Sequence, residues 1–390
     1  MNIDHHTARF LILVCFMSCC SGAAQSQDTD RFEIIHGPYL QHVTETGATI
    51  IFLTSKPAVA GVFVADENGS VSMIRNSEDG LIRAGDQLHK LRISGLSPGN
   101  QYHYRVFTNE VLKFEPYEIV FGDTVRDERI RSFATPDKNK KEIRFTVFND
   151  IHSDPGKLGS YLAAQAVEQQ DCYFLNGDLW NHVESEQMLF TGCLGTAISR
   201  FASEIPFYFI RGNHEARGKY ARDLKKYFNF PDDRYYYAFT RGPVHFIVLD
   251  SGEDKPDSSQ YYYGLADFDA YRLVQLEWLK KQIKTDAFKN APFRIVLVHM
   301  PVMEMKNTGH GMKFLAEHFG PVLDSARIDL MISGHLHRNL WLKSGESGFS
   351  YPVLVCSNRD FVEVTANKSG ITTWLKNSDG EIMEEFILTK

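Results

Sequence analysis

Ser333-Gly334-His335-Leu336-His337 closes an apolar stretch at residues 328–332, and its reading decides the fold. A short apolar run that ends on Gly and two alternate histidines predicts a buried strand opening into a loop. Both imidazoles are then offered from a rigid edge, a placement that suits metal ligation better than core packing. Four fragments upstream repeat the arrangement. Asn149-Asp150-Ile151-His152 follows the run 143–148, and Asn176-Gly177-Asp178 follows Tyr173-Phe174-Leu175. Arg211-Gly212-Asn213-His214-Glu215 follows 206–210, and His299 follows 294–298. Taken singly, an Asp-x-His is a loop or a helix cap, and a histidine after an apolar run is a core residue. Packing alone does not need His, Asp or Asn at so many successive strand ends, and together they point to a metal site.

In this order, Asp-x-His (Asp150, His152), Gly-Asp (Asp178), Gly-Asn-His-Glu (Asn213 to Glu215), His299 and Gly-His-x-His (His335, His337) resemble the signature of the calcineurin-like metallophosphoesterases. The resemblance covers residues 142–390. It implies an α/β metallophosphoesterase domain of two mixed β-sheets flanked by helices, with the site where the motif loops meet. It also implies one metal on Asp150, His152, Asp178 and His337, and a second on Asp178, Asn213, His299 and His335. Asp178 would lie between them, because two cations about 3.5–4 Å apart need an anion to offset their repulsion. Mixed nitrogen and oxygen ligands suit two divalent transition metals, Zn, Mn, Fe or Co, rather than Ca or Mg alone. Alternate residues of an extended segment point opposite ways, so Asp150/His152 and His335/His337 converge only if their loops bend.

The implied reaction is attack on phosphorus by a hydroxide bridging the metals, with His214 as the general acid for the leaving oxygen. Glu215 would support its neighbours from behind the ligands. Asn181, His182, Arg217 and His310 are candidates for contact with the substrate phosphate. Their plain alternatives are surface histidines and an arginine paired with an acid. The expected substrate is a small phosphate ester, with phosphomonoesters favoured and phosphodiesters as the alternative on the same dinuclear site. A surface binding module with a vestigial site is disfavoured by the intact ligand set. There is no His-Glu-x-x-His and no nucleophile elbow, since Gly95-Leu96-Ser97-Pro98-Gly99 falls on a turn signal, and His337 is followed by Arg338-Asn339 rather than by a further Asp-His pair.

Residues 32–135 lack helical periodicity and carry short Val-, Ile- and Tyr-rich runs between turn signals such as Asn68-Gly69, Asp79-Gly80 and Ser97-Pro98-Gly99. This pattern predicts an all-β antiparallel sandwich. The fragments His36-Gly37-Pro38-Tyr39-Leu40-Gln41, 96–106 and Phe133-Ala134-Thr135 resemble the fibronectin type III-like domain that precedes the catalytic domain of purple acid phosphatases. The polar stretch 136–141 reads as the linker. The metal site departs from that group: Asn181 stands where purple acid phosphatases place the tyrosine that colours ferric iron, and His152 has no counterpart there. A colourless site is therefore expected, with ferric iron not implied.

From residue 142 strands alternate with stretches of helical character at 157–169, 187–203, 219–228 and 267–285. The last shows Tyr271, Val274, Leu276, Trp278, Leu279 and Ile283 mostly on one face. Residues 1–24 read as an export signal: Arg9, then an apolar run 10–17, then small residues. Ser18-Cys19 also resembles a bacterial lipoprotein site, so release to the periplasm or medium and a lipid anchor at Cys19 are both expected readings. No stretch reaches the roughly 20 apolar residues of a transmembrane helix. The 390 residues are 43% hydrophobic and 23% charged, with a net charge of −7. That is ordinary for a soluble protein and leaves no basic footprint for nucleic acid as a steady partner. Cys172 and Cys356 sit in apolar runs as core thiols, and no cysteine falls in a metal-binding motif.

Overall fold

The computed structural model describes residues 31–389, so the export-signal stretch and Cys19 lie outside the described residues. Two six-stranded sheets carry the region beyond residue 142. In the first, Glu142–Phe148, Cys172–Asn176 and Phe207–Ile210 are parallel. Asp360–Asn367, Gly370–Asn377 and Ile382–Thr389 extend it antiparallel. In the second, Val244–Leu249, Phe293–Val298, Leu330–Ser333 and Val353–Val355 are parallel, with antiparallel edge strands Tyr237–Arg241 and Leu340–Leu342. The parallel strands are largely buried on both faces, which explains their continuous apolar sequences, whereas Ile382–Thr389 is mostly exposed. Edge-to-face contacts at 5.2–5.3 Å link Phe145 of the first sheet to Phe246 of the second and to its own neighbour Phe174. The outer face of the second sheet is covered by the helices Phe268–Gln282, His310–His318 and Gly320–Ala326 through Leu276, Leu279, Met312, Leu315 and Leu323.

The helical expectations need correction in extent at three places and in the buried face of a fourth. Pro155–Ala163 is a helix started by Asp154, whose side chain accepts from Lys157 N, but it stops short of the predicted end at 169. Residues 187–203 break at Gly192, which separates Glu186–Thr191 from Cys193–Ala197. Residues 219–228 form only the single turn Leu224–Tyr227, since their aromatic residues pack into the core from loops. In Phe268–Gln282 the buried face carries Arg272 and Gln275 beside Leu276 and Leu279, while Val274 is 62% exposed. The two polar residues face inward because they hold the segment after Val244–Leu249: Arg272 donates to Ser251 O, and Gln275 bonds Asp250 through both its N and O.

The N-terminal region is a seven-stranded antiparallel sheet organised by the 19-residue strand Gly47–Ala65. One half of that strand pairs with Ile34–Thr44 and Asp86–Ser94, the other with Val71–Ile74 and Gln101–Glu115. Residues from both halves, with Leu91, Ile93, Tyr102, Tyr104 and Phe133, close one core. The sheet is tied to the region beyond residue 142 by Tyr39 Oη to Tyr227 O (2.7 Å), Tyr104 Oη to Ser203 O (2.6 Å) and Lys90 Nζ to Phe228 O (2.7 Å). Tyr39, Ile51 and Leu53 are buried with the larger core. Among the described residues no helix is long and apolar enough to cross a membrane, and Cys172, Cys193 and Cys356 are buried free thiols.

Candidate metal centre

The five motif loops leave the carboxyl ends of five parallel strands, three in one sheet and two in the other. The bend demanded by the sequence is present in the backbone. Asp150, His152, Asp178, His335 and His337 all have positive φ, between 52° and 71°, although none is glycine. Left-handed backbone at such residues costs of order 1–3 kcal/mol each and persists only where the surroundings enforce it. Two glycines show how tightly the loops approach. A Cβ on Gly212 would lie 2.3 Å from Asp178 Oδ1, and one on Gly334 would lie 2.5 Å from Asp150 Oδ2.

Asp150 is fully buried. Its Oδ2 accepts from Asn149 Nδ2 (2.7 Å) and His335 N (2.9 Å). Its Oδ1 has no aligned hydrogen bond but faces His337 Nε2 at 3.2 Å, His152 Nε2 at 3.7 Å and His299 Nε2 at 3.9 Å. Asp178 Oδ1 accepts from His214 N (3.0 Å), and Oδ2 lies 3.0 Å from His299 Nε2. That second contact is short, yet His299 Nε2 also lacks a hydrogen bond of acceptable angle. Its Nδ1 donates to Asn176 O (2.8 Å), which turns Nε2 toward the carboxylates. His335 Nδ1 is 3.1 Å from Asn213 Oδ1, and His152 Nε2 is 3.0 Å from His337 Nε2.

Ligand atoms fall into three overlapping groups, each within 4.8 Å: Asp150 with His152 and His337, Asp178 with His299 and His335, and Asp178 with His152 and His214. Asp178 thus belongs to two of them. Buried anionic oxygens and imidazole nitrogens left without hydrogen bonds, converging on one space, fit a borderline divalent cation. The electrostatics agree. Burial disfavours the His299 charge, but Asp178 and Asp150 outweigh it and push the imidazole up to about 10. Burial and the His299 charge push His335 down to about 4.

The neighbours of these groups are also fixed. Glu215, almost fully buried, accepts from Asp178 N, Gly212 N, Leu179 N and Trp180 N at 2.7–3.2 Å, and so locks two motif loops together. Burial and Asp178 push its carboxyl up to about 7, against the pull of those N–H groups. His214 Nδ1 donates to Asn181 O (2.7 Å), and its Nε2 accepts from Arg217 Nη1 (3.0 Å). Arg217 is itself gripped by both oxygens of Glu253 (2.8 and 3.0 Å) and by Asp254 (3.2 Å). Arg217 is therefore paired with acids and with His214 at once. His182 is exposed and enters none of the ligand groups. His310 is engaged by Asp269 at 2.8 Å and also stays outside them.

Sequence reasoning missed Asn149, Lys157, whose Nζ donates to Asp150 O (3.0 Å), and the Asp250–Asp254 segment. A signal for the last was present: the apolar strand Val244–Leu249 ends on Asp250, by the same rule that found the other loops. Asp250 accepts from Arg211 Nη2 (2.5 Å) and Tyr271 Oη (2.6 Å).

Residues 143–339, just over half the chain, match the family model described as calcineurin-like phosphoesterase. The chain belongs to the calcineurin-like phosphoesterase family. This calcineurin-like phosphoesterase is 25% identical to probable purple acid phosphatase 20 of Arabidopsis thaliana over 295 residues, 72% of this chain and 60% of that one. It is 27% identical to serine/threonine-protein phosphatase CPPED1 of Mus musculus over 143 residues, 35% of this chain and 43% of that one. It thus spans less than two thirds of the length of these relatives. The fold is shared with purple acid phosphatase PPD1 of yellow lupin (TM-score 0.66, 15% identity, 90% of this chain and 74% of that one). It is shared also with PhoD (TM-score 0.59, 13% identity, 90% and 88%). The two positions where the motifs depart from the purple acid phosphatase pattern touch each other: Asn181 Oδ1 lies 3.1 Å from His152 Nδ1, and Asn181 Nδ2 donates to His152 O (3.2 Å).

Proposed function

We propose that the protein is an exported hydrolase of small phosphate esters, acting on monoesters in preference to diesters. The observation that carries this reading is the buried pair Asp150 and Asp178, whose oxygens face imidazole nitrogens without complementary hydrogen bonds. Asp150, His152, Asp178 and His337 would hold one divalent metal, and Asp178, Asn213, His299 and His335 another, drawn from Zn, Mn, Fe or Co. When bound, such metals lower the pKa of water and neutralise phosphoryl oxygens. The chain itself orients and protonates. Glu215 holds the backbone of the Asp178 loop, and Asn181 orients both His152 and His214.

As found, His214 Nε2 accepts from Arg217 and has no proton to give there. A substrate oxygen that takes up Arg217 Nη1 would free Nε2 to take up a proton from solvent and pass it to the leaving oxygen. Monoester preference is supported by the purple acid phosphatases among the relatives and by the shared architecture. We assign residues 32–135 to a fibronectin type III-like sandwich and 142–390 to the catalytic domain, joined by 136–141, with export directed by residues 1–24. Metal analysis of the purified protein, combined with rates on a panel of mono- and diesters before and after chelation, tests the reading. Two metals per chain and chelator-sensitive monoester hydrolysis are expected. A metal-loaded protein inert toward every ester would overturn it.

A further inference from the structure

Beside the candidate centre lies a second cavity of about 580 Å³ that the proposed chemistry does not use. Arg217, whose Nη1 touches His214, forms part of its wall, so the two spaces meet at the residue pair that would face the leaving oxygen. The lining also includes the consecutive run Tyr261-Tyr262-Tyr263 with Leu265. Tyr261 is 68% exposed, Tyr263 88% and Leu265 74%, so large rings stand uncovered at the rim. The loop that carries them is not loose. Tyr262 N donates to Ser259 O, Leu265 N to Tyr262 O, and Phe268 N to Asp257 Oδ1. Tyr263 is held at φ 50°, an uncommon backbone for a bulky residue. Tyr262 Oη is buried against the Glu253 carboxylate, and burial together with that carboxylate raises the phenol pKa. A clustered, ordered, uncovered aromatic surface next to a polar centre marks a ligand site.

We propose that this cavity is the leaving-group subsite of the centre and selects phosphate esters whose alcohol half is a planar aromatic ring. The inference rests on the proposed reading of the metal centre. In an in-line displacement the leaving group departs on the side of the acid that protonates it, and His214 with Arg217 stands on that side. An aromatic ring there lies against Tyr261 and Tyr263. A small alkyl group fills little of this space and gains no ring contact.

The test uses the full, metal-loaded chain and two esters, phenyl phosphate and ethyl phosphate. The readout is the ratio of their kcat/KM values, which cancels changes common to both. In the double variant Tyr261→Ala/Tyr263→Ala this ratio falls by about 5- to 160-fold, the scale of two ring contacts. Tyr261→Phe/Tyr263→Phe retains it, because stacking needs the ring and not the hydroxyl. An unchanged ratio in the Ala variant overturns the subsite even if both esters are hydrolysed. Calorimetric binding of phenylphosphonate against ethylphosphonate needs no turnover. Tighter binding of the phenyl compound, lost in the Ala variant, upholds the subsite even in a protein that hydrolyses neither ester. Equal binding of the two in the wild type overturns it.

Discussion

Two buried histidines, one in each half of the molecule, show how differently the halves are built. His89 lies in the N-terminal sheet, against Phe52 at 5.0 Å and with Nε2 3.0 Å from Thr54 Oγ1. Burial, with no acid beside it, pushes it down to about 4. His299 is buried more completely, yet Asp178 and Asp150 reverse the sign and push it up to about 10. Burial therefore does not distinguish a structural histidine from a functional one. The carboxylates do. The N-terminal sheet buries a neutral ring that is content with one hydroxyl. The strand ends of the other half gather anions and imidazoles on backbone held at positive φ.

The contrast fails most visibly if Asp178 is dispensable. Asp178→Asn removes the anion shared by two ligand groups, and hydrolysis is expected to fall by more than the roughly 10–100-fold cost of losing an outer partner. Metal content measured on the same preparation should fall with it. A variant that keeps both its metals and its rate would refute the two-metal reading.

The second largest effect separates proton donation from ligation within Asn213-His214. His214→Ala should retain metal and slow an alkyl phosphate by about 10²–10⁴-fold, while a nitrophenyl ester, with a leaving group stable as an anion, loses much less. Asn213→Ala should weaken metal binding and slow both esters alike. Equal losses for both esters in the His214 variant, with metal intact, would assign the imidazole to holding phosphoryl oxygens instead.

Much of this half was legible because the constraint is local. A strand that runs out of apolar residues and ends on Asp, Asn or His announces itself, and the need for bent loops followed from the two-residue alternation of Asp150/His152 and His335/His337. The rest depended on pairings distant in sequence. Nothing near Arg217 shows that Glu253 and Asp254 fix it, or that Arg217 then occupies His214 Nε2. Hydrophobic periodicity misread Phe268–Gln282, since it counts Arg272 and Gln275 as outward and Val274 as inward. It overextended the helices near 192 and 219–228, where a glycine break and aromatic-rich loops pack without helical repeats. Nor did the N-terminal sequence reveal that Tyr39, Ile51 and Leu53 are buried with the larger core.

A smaller effect tests whether the charge gathered at those strand ends is real in the folded protein. Added Zn or Mn should raise the melting temperature of the wild type, by about 2.7 kcal/mol of stabilisation at a hundredfold excess over Kd. Asp178→Asn should show little of this response. A wild type whose unfolding ignores both metal and chelator would mean that the strand-end cluster is satisfied without a cation.

The smallest effect belongs to the other half. His89 has a folded value of about 4 against the usual 6.5, so on acidification the unfolded chain binds the proton first. Its contribution is present in full above pH 6.5 and is lost as pH falls through the window from 6.5 to 4. At pH 5 the loss is about 2 kcal/mol. His245, also pushed down to about 4 by burial, adds to the slope in the same direction. Unfolding followed at pH 7 and pH 5 with chelator present, so that metal release does not contribute, carries these terms together with those of His335 and Glu215, and the difference between wild type and a His89 variant isolates His89. His89→Phe keeps a ring against Phe52 and leaves Thr54 Oγ1 its bond to Lys56 O (2.8 Å). It should destabilise less on acidification than the wild type by about 2 kcal/mol, with the His245 slope remaining. An equal acid sensitivity in both proteins would show that the sheet does not bury His89 as a neutral ring, and the difference between the two histidines would then lie in exposure rather than in the carboxylates.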